Sequence, residues 1–390
     1  MMIERIRERL NKTAPAGWKI RETETEGSEL YIADGEIEQE RSKSLSAYQV
    51  TVYADFTADG TRYRGDAEIR IHAGMTDSEI DDRIRRGMVM AGYVRNAWYP
   101  LVAPADGPAG GVGVPAGSAV AGGADRPAGS TAGSPQAPDF SRYGSPFSSG
   151  SLSDHAHAIA SEALSVPFDS GERVPSLEVL VNRFRRRLVT SEGIDLEFRG
   201  GQGYVEAVTA VLVPGGAVGG PGMVGGPGMV GGPGTVSGPG GARRDEVELF
   251  RKYEFSKLVP GGMARFMENL LGQTRQRAAA RPMPKNLCLP VLFPGEHCAA
   301  LFAFYWNLAN AKSVYEKISP WTVGSMIQKG TEGDRIGMIV TPWLEGSPLN
   351  TPFDDDGIVL SPLQIIRDGA VVAFHGSTQY ASYLGFIPSG

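Results

Sequence analysis

The sequence predicts an α+β fold in two domains: an N-terminal antiparallel sheet with flanking helices, and a larger C-terminal mixed-sheet domain with helices. Three observations carry this. Strand-like runs meet at Asp34-Gly35, Asp59-Gly60 and Asp368-Gly369, and an Asp-Gly pair supplies the φ > 0 residues of a tight hairpin turn. Thr76 and Glu79 form a Thr-x-x-Glu capping signature ahead of a helical stripe. Two segments almost free of large apolar side chains interrupt the chain, and such segments bury too little surface to offset their ordering entropy.

Residues 1–100 read as a compact unit. Ile3, Ile6 and Leu10 share one helix face. Tyr48, Val50, Val52, Ala54 and Phe56 alternate along a strand, and Ile80, Ile84, Met88, Ala91 and Val94 continue at helical spacing after Thr76. Residues 101–150, rich in Gly, Ala, Pro and Ser, read as a flexible linker.

Residues 151–284 read as a middle α+β region. SDHAHAIASEAL suggests a helix. Ser176 reads as the cap of another, with Leu177, Leu180, Val181, Phe184 and Leu188 on one stripe. VTSEGIDLEFRGGQGYVEAVTAVLV suggests strands joined by Gly-rich turns. A hexapeptide repeat, VGGPGM, VGGPGM, VGGPGT, VSGPGG, begins at Val218 within a Gly-Pro loop over 214–242. Phosphate-cradling loops need glycines leading into a helix with a Lys-Ser/Thr or βαβ context. The repeat lacks both, so it reads as an elastin-like or slippage-expanded surface loop. From Asp245 a helical segment runs through Phe250, Phe255, Phe266, Leu270 and Leu271, broken at Pro260-Gly261-Gly262.

Residues 285–390 read as a C-terminal core. KNLCLPVLF, 285–293, is a short buried-strand candidate, and GEHCAALFAFYWN follows as a helix that packs apolar bulk. Ile336 to Trp343 reads as a strand, FDDDG as a solvated acidic turn, and LQIIRDGAVVAFHG as a hairpin.

The net charge of −6 argues against a nucleic-acid binder held by phosphate contacts. Arg183, Arg185, Arg186 and Arg187 read as a solvated helix face. Two cysteines, Cys288 and Cys298, are too few for a disulfide scaffold and read as structural thiols, Cys298 as a buried one. The N-terminus is charged from residue 4 and lacks the apolar stretch of a signal peptide. No run approaches the ~18 apolar residues of a membrane span, so the cytoplasm is the expected compartment.

Candidate chemistry is sparse. His155 and His157 are spaced for one face of a strand, but their surroundings look helical. Glu296, His297 and Cys298 are contiguous, and helical neighbours point about 100° apart, so they cannot close on one ion. Asp354, Asp355 and Asp356 lack the alternate spacing and terminal Glu of a calcium loop. They remain candidates for substrate or partner binding, together with Arg367 and His375.

The order of motifs resembles the TldD/PmbA (TldE) family, also known as modulators of DNA gyrase or microcin-processing metalloproteases. The resemblance rests on YIADGEIEQERSKSLSAYQVTVYADFTADGTRYRGDAEI, on VTSEGIDLEFRGG and above all on GDRIGMIVTPWLEGSPLNTPFDDDGIVLSPLQIIRDGAVVAFHGSTQYASYLG. It spans the chain outside the two low-complexity segments.

In this family TldD-type subunits carry His-Glu-x-x-x-His on a helix after a short strand and Pro-Gly. That motif binds zinc and supplies a general base. TldE-type subunits lack it and pair with TldD. Here Pro294-Gly295 is present, but the motif positions hold Phe302, Ala303 and Asn307. The resemblance therefore implies a TldE/PmbA-like, oligomer-forming subunit with no catalytic or metal residues of its own. Zinc would sit in a TldD-like partner, and the complex would cleave peptides. It also implies a truncated C-terminal core, because the family pattern continues past IPSG to a metal-ligating Cys, which leaves a sheet edge open. Two other readings stand beside this one. One is an active metallopeptidase using His297, Cys298 and His375. The other is a non-enzymatic peptide- or protein-binding module or decayed paralogue.

Overall fold

The computed structural model describes residues 2–104, 138–214, 244–281, 288–330 and 332–389. Helix α1 (Met2–Thr13) opens the chain and turns Ile3, Ile6 and Leu10 inward. Strands β1 (Gly17–Ala33), β2 (Glu36–Ala58) and β3 (Thr61–Ile71) follow as a meander, and then helix α2 (Asp77–Ala91). Both meander turns are the expected Asp-Gly pairs, with φ of 47° and 84° at Asp34 and Gly35 and of 52° and 75° at Asp59 and Gly60. Thr76 caps α2 with a complete capping box. The helix ends at Ala91, so Val94 lies beyond it.

Helix α3 (Leu152–Leu164) leads into β4 (Glu172–Thr190), β5 (Asp195–Pro214), β6 (Arg244–Phe255) and helix α4 (Gly262–Ala278). All six strands join one antiparallel sheet in the order β3-β2-β1-β4-β5-β6. The sheet thus runs through residues of both the 1–100 and the 151–284 regions.

Three sequence expectations fail here. Residues 176–188 are strand, not helix. Residues 245–255 are also strand, and the helix of that region begins only at Gly262. The Gly200–Gly203 stretch lies inside β5 and makes no turn. The physical reason is burial on both faces: β4 points Leu177, Val179, Val181 and Val189 one way and Phe184 and Leu188 the other, so period-two alternation is masked.

Strand alternation sorts the two sheet faces. The four helices cover one face. There α1 and α2 close a core over Ile20, Val50, Val52, Ile69 and Val189. At the other end α3 and α4 close a second core over Leu30, Ile32, Val179, Val181 and Val205. Each fully buried aliphatic side chain contributes about 2 kcal/mol. Glu162 of α3 accepts the Met263 and Ala264 amides at 2.8 and 3.2 Å, capping α4.

Between the two cores the same face carries a charged ladder. Glu22, Glu24 and Glu26 stand opposite Arg187, Arg185 and Arg183 in register. Arg185 bridges Glu22, Glu24 and Glu197 at 2.9, 2.9 and 2.8 Å. These arginines belong to a strand, not to the helix face the sequence suggested.

The C-terminal module lies on the opposite face. It comprises helices α5 (Gly295–Leu308), α6 (Ala311–Tyr315) and α7 (Thr378–Leu384), and a small antiparallel sheet of β7 (Met338–Val340), β8 (Leu363–Arg367) and β9 (Ala370–Val371). Among the described residues this sheet is three short strands, smaller than the mixed sheet expected. The 336–343 strand shrinks to β7, while the hairpin at Asp368-Gly369 forms as expected. Residues 288–293 form no strand, and the rest of the 285–293 candidate lies outside the described residues.

Of the 101–150 linker, residues 105–137 lie outside the described residues. Its ends pack: Val102, Tyr143 and Phe147 are buried. The repeat between β5 and β6 also lies outside the described residues, but for Pro214 at the end of β5.

Candidate functional site

The acidic turn is the best-built polar site on the face that carries the C-terminal module. Phe353 enters an aromatic cluster with Tyr143, Leu188 and Phe198, at 5.4 Å from the Phe198 ring. Ile358 joins Val102 and Ile194. Gly357 sits at φ 93°, and a Cβ there would meet Ile194 at 2.7 Å, so the turn needs glycine. The 353–358 segment is therefore a plug with an apolar residue at each end, and of the solvated turn expected only Asp355 is exposed.

The three carboxylates between those anchors do different work. Asp354 Oδ1 accepts the backbone amides of Asp356 at 2.9 Å and Ile358 at 2.8 Å, which shapes the turn. Burial and the neighbouring Asp356 charge push Asp354 up to about 6. Asp356 reaches Lys19 Nζ on β1 at 2.9 Å and accepts the Thr378 amide of α7 at 3.2 Å. Burial works to raise Asp356, but Lys19 and the Thr378 bonds outweigh it, and the carboxyl lies below its ordinary range. Asp355 is exposed and pairs with Arg21 of β1, which also bonds Glu68 at 2.6 Å. Nearby Asp66 of β3 is held by Asn96 at 2.8 Å and raised by burial. Tyr53 and Tyr99 are raised by burial too.

A cavity of about 20 Å³ lies beside this cluster, lined by residues including Trp18, Lys19, Tyr53, Tyr99, Asp356 and Thr378. That is on the order of one water, too small for a substrate side chain. A larger groove, about 300 Å³, follows the charged ladder past Glu24, Glu26, Ser148, Arg183, Arg185 and Arg199. The ladder was legible as two period-two patterns, Glu22/Glu24/Glu26 and Arg183/Arg185/Arg187, that match when laid antiparallel.

The remaining sequence candidates do not join the acidic turn. Arg367 is exposed on β8 and bonds Gln364 of the same strand at 2.8 Å. His375 is buried, stacked on Trp306 at 3.7 Å with its Nε2 at 3.0 Å from the Trp306 carbonyl. His155 and His157 lie on α3 and part company: His155 Nε2 meets the Ser149 carbonyl at 3.2 Å, and His157 meets Glu40 at 3.4 Å. Cys288 is exposed, and Cys298 is half-buried instead of the buried thiol expected.

Helix α5 forms where the sequence places it, but its apolar side is open. Leu301, Phe304 and Trp306 are 54%, 59% and 40% exposed, and Leu289, Val291, Leu292 and Phe293 just before it are exposed as well. Phe302 is half-buried, and Ala303 and Asn307 face outward. Among the described residues no three His, Cys, Asp or Glu side chains converge on a point that could hold a metal ion. Phe302, Ala303 and Asn307 offer none of the His, Cys or carboxylate side chains that usually ligate zinc. No helix among the described residues is long and apolar enough to cross a membrane.

Residues 287–390 match the PmbA/TldA metallopeptidase C-terminal domain. Solved structures share the fold over nearly the whole chain. TldE from Thermococcus kodakarensis is similar at TM-score 0.59 and 14% identity, over 100% of this chain and 72% of that one. A candidate modulator of DNA gyrase from Bacteroides thetaiotaomicron is similar at TM-score 0.61 and 14% identity, over 99% of this chain and 74% of that one. A third, from Thermotoga maritima, is similar at 0.57 and 14%, over 100% and 73%. No sequence among the curated proteins matches. Residues 287–390 thus match the PmbA/TldA metallopeptidase C-terminal domain, and the chain as a whole shares the α+β fold of the TldE and gyrase-modulator structures.

Proposed function

We propose that this chain is a TldE/PmbA-like subunit that shapes and supports a peptidase complex, while a TldD-type partner carries the zinc and the general base. The observation that carries the reading is α5. The helix where TldD-type relatives place zinc ligands bears Phe302, Ala303 and Asn307, and its outward side is apolar. A contiguous exposed apolar patch marks an interaction surface, and a partner subunit is the occupant this reading supplies. The peptide substrate would then be cleaved at the partner's metal, with this chain lining the chamber.

Co-expression with a TldD-type subunit tests it. The expected result is a stable complex with zinc bound in the partner and peptide cleavage that requires the partner's motif. Stoichiometric zinc and cleavage by this chain alone, lost on His297→Ala, would overturn it in favour of an active peptidase. Absence of both complex and zinc would overturn it in favour of a binding module.

A further inference from the structure

The C-terminal module meets the sheet and its flanking loops through apolar anchors and polar contacts. Besides the Phe353 and Ile358 anchors, Lys19 grips Asp356, Arg21 grips Asp355, Trp343 Nε1 donates to the Arg142 carbonyl at 3.0 Å and Tyr383 Oη donates to the Ala97 carbonyl at 2.6 Å. At the centre the charge count does not balance. Asp354 and Asp356 from the turn and Asp66 from β3 gather around the single ammonium of Lys19. The other groups facing them are Tyr53 of β2, Tyr99 of the loop after α2 and the Thr378 amide of α7. Arg21 of β1 and Arg186 of β4 face Asp355. Among the described residues Asp354 bonds backbone amides and has no cation paired to it alone.

We propose that the 353–358 turn is a proton-operated clasp, whose hold on the sheet tightens when Asp354 takes up a proton. In the docked module the neutral acid removes the repulsion from Asp356 and leaves Lys19 to that carboxylate. In the undocked module Asp354 is solvated and titrates normally. Because docking raises the affinity for the proton, acidification favours docking. With Asp354 at about 6 when docked and 3.8 when free, the docking constant rises about tenfold between about pH 8 and about pH 5. Asp66, also raised by burial, acts in the same direction. Asp356 acts in the opposite direction only at more acid pH, where it loses its bond to Lys19.

Hydrogen exchange on the full chain tests this, read at the amides of Ser256 and Thr378, which bond the Gly346 carbonyl across the junction between β6 and the module and Asp356 Oδ2 in the clasp. After correction for intrinsic exchange, protection at both is expected to rise about tenfold from about pH 8 to about pH 5. Asp354→Asn, a fixed neutral isostere, is expected to hold the high-protection value across the range. Flat protection in the wild type, or an unchanged rise in Asp354→Asn, would overturn the clasp. Should the variant fail to fold, the Asp354 carboxyl carbon shift in the wild type decides: a midpoint near about 6 supports it, and one near the free carboxyl value overturns it.

Discussion

The imidazole of His375 lies flat on the indole of Trp306, with ring centroids 3.7 Å apart, and its Nε2 meets the Trp306 carbonyl at 3.0 Å near the C-terminal end of α5. The His375 backbone completes the joint: its carbonyl accepts the Ala311 amide at 2.8 Å and its amide donates to the Ala309 carbonyl at 3.2 Å. His375 is thus the rivet between α5, α6 and the segment before α7. Burial lowers its pKa, against the pull of the Trp306 carbonyl.

The first prediction follows from that burial. The unfolded chain takes up the His375 proton more readily than the folded one, so this residue's contribution to stability is present above about pH 6.5 and is lost as the pH falls through the depressed folded value. His375→Ala is expected to cost about 1–3 kcal/mol at neutral pH, through the lost stack and an unpaired Trp306 carbonyl. Urea unfolding at several pH values should show both the loss and a flatter acid limb.

Lys19 and Asp356 form the second test. Lys19→Met leaves Asp356 with no cation while about a fifth of its side chain meets solvent. The expected loss is about 2–3 kcal/mol, below that of a fully enclosed pair. Lys19→Met with Asp356→Asn should recover part of it. A double-mutant cycle by chemical denaturation measures the coupling.

Gly65 on β3 offers a sharper break. A Cβ there would stand 1.8 Å from the Ala91 carbonyl oxygen and 2.6 Å from that of Val94, so the end of α2 lies directly on the strand. Gly65→Ala is expected to cost about 3 kcal/mol or more, because backbone on both sides would have to shift. Thermal melts followed by circular dichroism should show a large drop or no cooperative transition.

On α5, Leu301→Asp and Phe304→Glu alter side chains already more than half exposed. The isolated chain should therefore melt within about 0.5 kcal/mol of the parent. Capture of a TldD-type partner is expected to weaken about tenfold or more, since apolar anchors dominate such interfaces. Titration of labelled partner against each variant reads it.

Much of the N-terminal meander and of the C-terminal hairpin was legible because its signals are local. Asp-Gly pairs at three turns and Thr76 with Glu79 dictate backbone geometry within a few residues, and all four formed as read. Strand β4 was misread because its apolar residues serve two faces, and Leu177, Leu180, Val181, Phe184 and Leu188 then fall by chance at helical spacing. Strand β6 was hidden because its partner β5 lies across the repeat segment. The role of the acidic turn was beyond reach for a different reason. Asp355 and Asp356 meet Arg21 and Lys19 more than three hundred residues away, and no local pattern announces such a meeting.

The way β1 is shared has a last consequence. It pairs with β2 on one side and, from Lys19↔Thr190 to Ala33↔Ser176, with β4 on the other. Val189 of β4 completes the core beneath α1 and α2, while Leu30 and Ile32 of β1 complete the core beneath α3 and α4. Neither half owns a finished interior. Fragments ending at residue 104 and starting at residue 138 should each be poorly folded alone, yet should find one another on mixing. The covalent join between them would then be dispensable for recognition, which makes this chain a natural candidate for split-protein reassembly.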